Sequence, residues 1–152
     1  MAHFKAFLFD FDGVIADTEP IHWRAWQEVL APYAPDLDWG TYQRRCIGIS
    51  DIEMLHVFSD ITRKAITTDE VRALYPQKRK IFQALATAHP IVDERVVELL
   101  SGLNGTRLAV VTSSNQAEVE PILTQAGLLS VLSAVVYGND VTHYKPHPEP
   151  TN

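Results

Sequence analysis

The sequence has 152 residues, 46% of them hydrophobic and 21% charged, which suits one folded domain with a real core and argues against a disordered chain. A net charge of −6 without a basic cluster argues against nucleic acid as the main partner. Because the chain has a single cysteine, no apolar run of membrane-spanning length and no signal-peptide pattern, we expect a cytoplasmic protein without an internal disulfide or a membrane contact.

The first predicted element is a short buried strand. The segment FKAFLFD is apolar and rich in aromatic residues, and Asp10, Asp12 and Gly13 lie at its end. A helix follows in DTEPIHWRAWQEVLAPY, where Asp17 or Thr18 can provide the N-cap. Carboxylates at the end of a core strand cost free energy unless they are paired or bind a metal, so this strand end is a candidate site.

The middle of the chain, from Thr41 to His89, is predicted to form a small all-helical unit. The segments SDIEMLHVF and TDEVRALYPQKRKIFQAL each begin with a Ser-Asp or Thr-Asp start signal for a helix. We expect the three tryptophans Trp23, Trp26 and Trp39 to fill the core of the helical part rather than to stack on a substrate.

Helices and strands alternate after Pro90. DERVVELLSGL is predicted as a helix, RLAVVTSSN as a strand ending at Thr112 and Ser113, QAEVEPILTQAGL as a helix closed by Gly127, and LSAVVYGND as a third strand. This alternation predicts an α/β fold with a Rossmann-like parallel sheet of about three strands. Such sheets bind their ligands at the carboxyl ends of the strands.

The polar residues that follow these strands suit phosphoryl transfer. Asp10 and Asp12 would face the same side, and their hard oxygen ligands favour Mg²⁺. Asp10 could attack phosphorus to form an aspartyl-phosphate, with Asp12 acting first as general acid and then as general base. Thr112 would donate to a phosphoryl oxygen, and Lys145 would offset charge in the transition state. Gly13 permits a sharp turn whose N–H groups can face the ligand.

Simpler interpretations of these residues stay open. Asp10 and Asp12 could form a solvated turn, and Lys145 could be an ordinary surface lysine. Ser113 or Asn115 could cap the following helix, which is compatible with phosphate contacts from the same loop.

A second group of polar residues lies close to the end of the sequence. His143, His147 and Glu149 suggest metal ligands, but the irregular, proline-flanked segment HYKPHPEP favours an ordinary loop.

Three segments, FLFDFDGVIADTE, LAVVTSSN and HYKPHPEP, resemble in order the first three motifs of the haloacid dehalogenase superfamily. The resemblance covers nearly the whole chain and implies a phosphatase whose nucleophile is Asp10, whose acid/base is Asp12 and whose second and third motifs supply Thr112 and Lys145. Asp12 favours phosphoryl transfer over dehalogenation, because a halide leaving group needs no proton.

The resemblance also implies how the chain is divided. Residues 1–17 and 91–152 would form the catalytic core, and residues 18–90 would form an inserted helical cap. DTEPIHWRAW and CIGIS resemble beta-phosphoglucomutase and sugar-phosphate phosphatases, which implies that His22 lies near the nucleophile at the hinge of the cap. The expected substrate is a small phosphorylated metabolite such as a sugar phosphate or phosphoglycolate.

Members of this superfamily have a fourth motif, an acidic pair after a further strand that completes the metal site. The sequence stops at Asn152, and after Lys145 its only acidic residue is Glu149. We therefore expect an incomplete sheet with FKAFLFD at its edge, weak Mg²⁺ binding and impaired activity. The alternatives are a truncated remnant without catalytic activity and a module that binds phosphate without turnover.

Overall fold

The computed structural model describes residues 4–33, 37–49, 51–63, 65–103, 105–143 and 145–151. In chain order its strands and helices are β1 (Ala6–Phe9), α1 (Glu19–Leu30), α2 (Trp39–Arg45), α3 (Asp51–Ile61), α4 (Thr68–Ala73), α5 (Tyr75–Ala88), α6 (Glu94–Gly102), β2 (Arg107–Val111), α7 (Gln116–Gln125) and β3 (Ala134–Val136). This arrangement confirms the predicted α/β fold with a helical insert after the first strand. No helix in these ranges is both long and apolar enough to cross a membrane.

The chain divides into two compact units. One unit comprises Met1–Thr18 and Ala86–Asn152 and contains the sheet. The other comprises Glu19–Leu85, and its described residues form helices joined by turns and loops, without a strand. The assignment of residues 18–90 as a functional cap stays a prediction.

The three strands form a parallel sheet in the order β1-β2-β3. Phe7 on β1 aligns with Leu108 on β2, and Val110 on β2 aligns with Val135 on β3. Leu108 and Val110 on one face of β2 and Val111 on the other are buried, as expected for a central parallel strand covered on both faces. β1 pairs with β2 alone among the described strands, and Leu8 on this edge strand is 55% exposed.

The helices of the sheet unit begin and end near the predicted residues. Asp93 caps α6 by accepting the N–H of Arg95, and Asn115 caps α7 by accepting the N–H of Ala117. Asn115 therefore provides the cap that the sequence assigned to either Ser113 or Asn115. The core residues of this unit include Phe11, Ile15, Leu100, Leu108, Val110, Val119, Ile122, Leu123 and Leu128.

The helical unit has its own hydrophobic core around Trp26, which is 2% exposed. Trp23 and Trp39 pack against the same cluster, and the indole N–H of Trp23 donates to the carbonyl oxygen of Leu37 at 2.7 Å. The prediction that the tryptophans fill the core of this unit is confirmed. The buried members of the cluster are Trp26, Val29, Leu30, Leu37, Tyr42, Cys46, Leu55, Phe58, Ile66 and Val71.

The segment TDEVRALYPQKRKIFQAL forms two helices, although its start signal predicts only one. α4 begins with a capping box in which Thr67 and Glu70 each accept the other's backbone N–H. α4 ends at Ala73, with Leu74 as its C-cap, because Pro76 has no N–H to continue the hydrogen-bond ladder. Pro76 then lies in the first turn of α5, where a missing N–H costs nothing.

Candidate active site

The loop after β1 places Asp10 and Asp12 on either side of a buried phenylalanine. Phe11 is 1% exposed and anchors the loop, while its N–H donates to Oδ1 of Asp10 at 2.8 Å. Gly13 has a φ of +72°, which favours glycine at this turn. Its N–H donates to the carbonyl oxygen of Ala16 at 2.9 Å, so a phosphate contact through this N–H would require that bond to break.

Three hydroxyl groups hold the carboxylate of Asp12. Thr18 donates to Oδ1 at 2.6 Å, and Ser114 and Thr112 donate to Oδ2 at 2.6 and 3.2 Å. Thr18 and Thr112 are almost completely buried. Both oxygens of Asp12 are therefore oriented by protein groups before any ligand binds.

Lys145 links the ends of β1 and β2. Its Nζ donates to Oδ1 of Asp10 at 2.6 Å and to the carbonyl oxygen of Val111 at 3.0 Å. The Asp10 side chain is 45% exposed and the Lys145 side chain 33% exposed, so solutes can reach this ion pair. Within the described ranges, the hydrogen bonds to the Asp10 side chain all go to Oδ1, which leaves Oδ2 available.

The loop between β2 and α7 is fixed by its own backbone and by the segment after β3. The N–H of Thr112 donates to the carbonyl oxygen of Val136 at 3.0 Å, and the N–H of Ser114 donates to the Thr112 hydroxyl at 2.9 Å. The N–H of Gly138 donates to the carbonyl oxygen of Ser114 at 2.9 Å. Ser113, at the tip of this loop, is exposed.

Gly138 allows a close approach that a side chain would prevent. A Cβ at this position would overlap the carbonyl oxygen of Ser113 and lie 2.8 Å from its carbonyl carbon. Because these are backbone atoms, Gly138→Ala is expected to displace the loop and to destabilise the protein by about 1–3 kcal/mol or more. Urea unfolding measures this change. Gly102→Ala is the control, because its Cβ would meet open space, and equal unfolding midpoints for the two variants would contradict the expectation.

The side chains predicted to meet at the strand ends form one connected cluster. Lys145 bonds Asp10 and the last residue of β2, and Thr112, the next residue, bonds Asp12. The Thr112 hydroxyl contacts a carboxylate in this structure, and its predicted contact with a phosphoryl oxygen stays a prediction, as does that of Ser113.

Two partners of Asp12 were not found from the sequence. The sequence predicts Thr18 only as a possible helix cap, and nothing in TSSN distinguishes Ser114 from its neighbours. The run of three hydroxyl residues after β2 was the available signal for Ser114. The sequence offered no comparable signal for Thr18.

A family model described as haloacid dehalogenase-like hydrolase matches residues 7–152. The match extends from β1 to the end of the sequence and includes all the side chains of the cluster. The chain belongs to the haloacid dehalogenase-like hydrolases. The predicted superfamily is therefore confirmed.

Several hydrolases are similar to this one in sequence or structure. The phosphorylated carbohydrates phosphatase of Thermotoga maritima is 29% identical over 95% of this chain and 66% of its own length. Fructose-1-phosphate phosphatase YqaB of Escherichia coli is 30% identical over 96% of this chain and 76% of its own. A structure described as a predicted phosphoglycolate phosphatase from Haemophilus somnus 129pt has a TM-score of 0.83 and 25% identity, covering 99% of this chain and 70% of that one. This hydrolase chain thus spans between 66% and 76% of the length of these proteins.

His22, which the resemblance implies near the nucleophile, lies in the helical unit. Its Nδ1 is 2.8 Å from Nζ of the buried Lys78, and its ring stacks on Phe82 with 4.2 Å between centroids. Burial of the ring is the larger cause that lowers the pKa of His22 well below its ordinary value, and the charge of Lys78 is the smaller cause. The implied position of His22 near the nucleophile stays a prediction.

The lowered pKa of His22 predicts an acid-sensitive helical unit. Above the unfolded pKa of about 6.5 the imidazole is neutral in both states, and below it the unfolded chain takes up the proton more readily. Stability is therefore expected to decline as pH falls from about 7 to 5, and less steeply in His22→Gln. Urea unfolding followed by tryptophan fluorescence measures both slopes. His56→Gln, which changes an exposed histidine of the same unit, is the control and should keep the slope of the unmodified protein. Equal slopes for His22→Gln and the unmodified protein would refute the assignment.

The donor atoms of the cluster fit Mg²⁺. The available ligands are carboxylate oxygens, and Mg²⁺ in proteins commonly uses one or two carboxylates together with water and substrate phosphate oxygens. The Asp10 carboxylate is 45% exposed and accessible to a metal, whereas both oxygens of Asp12 already accept hydroxyl groups. Of the two predicted metal ligands, Asp10 is therefore ready to bind, and a carboxylate contact from Asp12 would replace a hydroxyl bond.

Proposed function

We propose that this hydrolase removes the phosphoryl group from a small phosphorylated carbohydrate. The observation that carries the proposal is the exposed ion pair of Asp10 and Lys145, in which one carboxylate oxygen is held and the other is available. Two relatives that are named as phosphatases of phosphorylated carbohydrates or of fructose 1-phosphate support this choice of substrate.

In the proposed reaction, Oδ2 of Asp10 attacks phosphorus. A bond forms between this oxygen and phosphorus while the bond from phosphorus to the sugar oxygen breaks. Asp12, which must begin this step as the carboxylic acid, gives its proton to the leaving oxygen. Water then attacks the aspartyl-phosphate, Asp12 takes up a proton from that water, and phosphate leaves with Asp10 regenerated. Each step conserves charge and atoms without a further reactant.

Lys145 has two tasks in this proposal. Its hydrogen bond to Oδ1 keeps the Asp10 carboxylate in one orientation, and its charge offsets the negative charge that builds on the phosphoryl oxygens. A local cation is needed because the chain carries a net charge of −6 and its overall field repels an anionic substrate.

Mg²⁺ held by Asp10 and Asp12 would supply positive charge that reduces the repulsion between a carboxylate and a phosphate. We expect weak binding, because two carboxylates provide few of the six ligands that Mg²⁺ requires. Turnover by this chain is accordingly expected to be slow.

Release of inorganic phosphate tests the proposal. The purified chain should release phosphate from fructose 1-phosphate and other sugar phosphates in the presence of millimolar Mg²⁺, and EDTA should stop the release. The proposal would be contradicted if the chain released phosphate from none of these sugar phosphates. Phosphate binding without release would instead favour the module that binds phosphate.

A further inference from the structure

The loop that follows β3 gathers two histidines and a glutamate outside the cluster at the strand ends. One ligand atom from each of His143, His147 and Glu149 lies within 4.8 Å of the other two. Nδ1 of His143 is 2.7 Å from Oε2 of Glu149, and Nδ1 of His147 is 3.9 Å from the same oxygen. We propose that these three side chains form a binding site for Zn²⁺.

The separations suit a tetrahedral ion. Zn²⁺ binds nitrogen and carboxylate oxygen at about 2.0–2.2 Å, which places neighbouring ligand atoms about 3.3 Å apart. The distances from Nδ1 of His143 and of His147 to Oε2 of Glu149, 2.7 and 3.9 Å, lie on either side of that value. The centroids of the two imidazole rings are 4.5 Å apart. Shifts of about one ångström would therefore complete the ligand set.

The loop backbone holds the carboxylate in place before any metal binds. The N–H of Thr142 donates to Oε1 of Glu149 at 2.8 Å, and the N–H of His143 donates to Oε2 at 3.1 Å. These bonds hold the carboxylate of Glu149 in one orientation beside the two histidines. Metal binding therefore does not have to order the Glu149 side chain, because the folded loop already does so.

The ligand chemistry selects a transition metal. Two imidazoles with one carboxylate suit Zn²⁺, whereas Mg²⁺ and Ca²⁺ prefer oxygen ligands alone. His143 and His147 are 61% and 49% exposed at their side chains, so an ion can enter from solvent and keep water at a fourth position. Nδ1 of His147 now accepts the N–H of Glu149 at 3.2 Å, and the metal would replace this long bond.

Lys145 lies between the two histidines in the sequence. The proposed site therefore flanks, in the sequence, a residue that contacts Asp10 and the end of β2. Zn²⁺ binding itself does not depend on the proposed phosphatase activity, so the two proposals can fail separately.

Titration of the metal-free full chain with Co²⁺, which replaces Zn²⁺ and reports its coordination by visible absorption, tests the site. The expected result is one equivalent of bound Co²⁺ with the intense bands of a four-coordinate ion, which added Zn²⁺ removes. His143→Gln and His147→Gln should each weaken binding by at least about tenfold, since even changes to groups that only support a ligand cost that much. His89→Gln, which changes an exposed histidine of the same unit, should leave the affinity unchanged.

Either of two results would overturn the proposal. The first is that Co²⁺ added to the unmodified chain keeps the visible absorption spectrum of the hydrated six-coordinate ion. The second is binding that survives substitution of either histidine, because the metal would then be held elsewhere. The first result needs no variant and is therefore independent of how the substitutions affect folding.

Discussion

Replacing Asp10 by asparagine is expected to reduce phosphate release by about 10⁴-fold or more, the range seen when a nucleophile is removed from a covalent mechanism. The substituted amide is close in shape to the carboxylate and can still accept the N–H of Phe11, which Oδ1 now accepts at 2.8 Å. The amide oxygen is neutral and a poor nucleophile. The loss should therefore fall on kcat rather than on folding.

Asp17→Asn is the matched control for this substitution. Asp17 is an exposed residue of the same loop. Its substitution makes the same change from carboxylate to amide outside the cluster at the strand ends. Its turnover and its urea midpoint should stay close to those of the unmodified chain. Turnover that persists in Asp10→Asn at the level of Asp17→Asn would refute Asp10 as the nucleophile.

Lys145→Ala is expected to lower turnover by about 10²–10³-fold, the usual loss when one group that stabilises transition-state charge is removed. The substitution removes the cation beside the phosphoryl position and the hydrogen bond that orients Asp10. It should change stability little, because an ion pair as exposed as this one contributes about 0–1 kcal/mol.

A large loss of turnover with a small change in the urea midpoint would separate a direct role of Lys145 from a structural one. Lys80→Ala, at an exposed lysine of the helical unit, is the control and should affect neither quantity. The double variant Asp10→Asn/Lys145→Ala should be no slower than Asp10→Asn, because the two groups act in one step. Unchanged turnover in Lys145→Ala would contradict its role.

The fold could be predicted from the sequence because each element carries a local signal. Short apolar segments ending in polar residues marked the strands, and caps such as Asp93 marked helix starts. To predict the division between α4 and α5, Pro76 must be given more weight than the helical period around it, because the proline removes an N–H from the hydrogen-bond ladder.

The strand ends could be predicted as a site because parallel strands bring their carboxyl ends to one edge of the sheet. That rule placed Asp10 and Asp12 near Lys145 without any knowledge of side-chain conformation. It does not say which hydroxyl reaches which carboxylate oxygen. Ser114 contacts Asp12 across 102 positions of sequence, and such a contact depends on register and loop geometry.

The sequence suggests His143, His147 and Glu149 as metal ligands but favours an ordinary loop for them. His143, His147 and Glu149 lie in an irregular segment between prolines, where no helical or strand period fixes the directions of side chains. The backbone bonds that turn Glu149 toward the histidines become visible only once the loop is folded.

Detection of a phosphorylated Asp10 tests the central proposal most directly. The chain would be mixed with a sugar phosphate and Mg²⁺, quenched in acid and digested, and its peptides analysed by mass spectrometry. We predict one added phosphoryl group on the peptide that contains Asp10, removable by hydroxylamine as an acyl phosphate and missing in Asp10→Asn. The mechanism would be contradicted if phosphate were released but no quench time showed this adduct, or if the adduct lay on another residue.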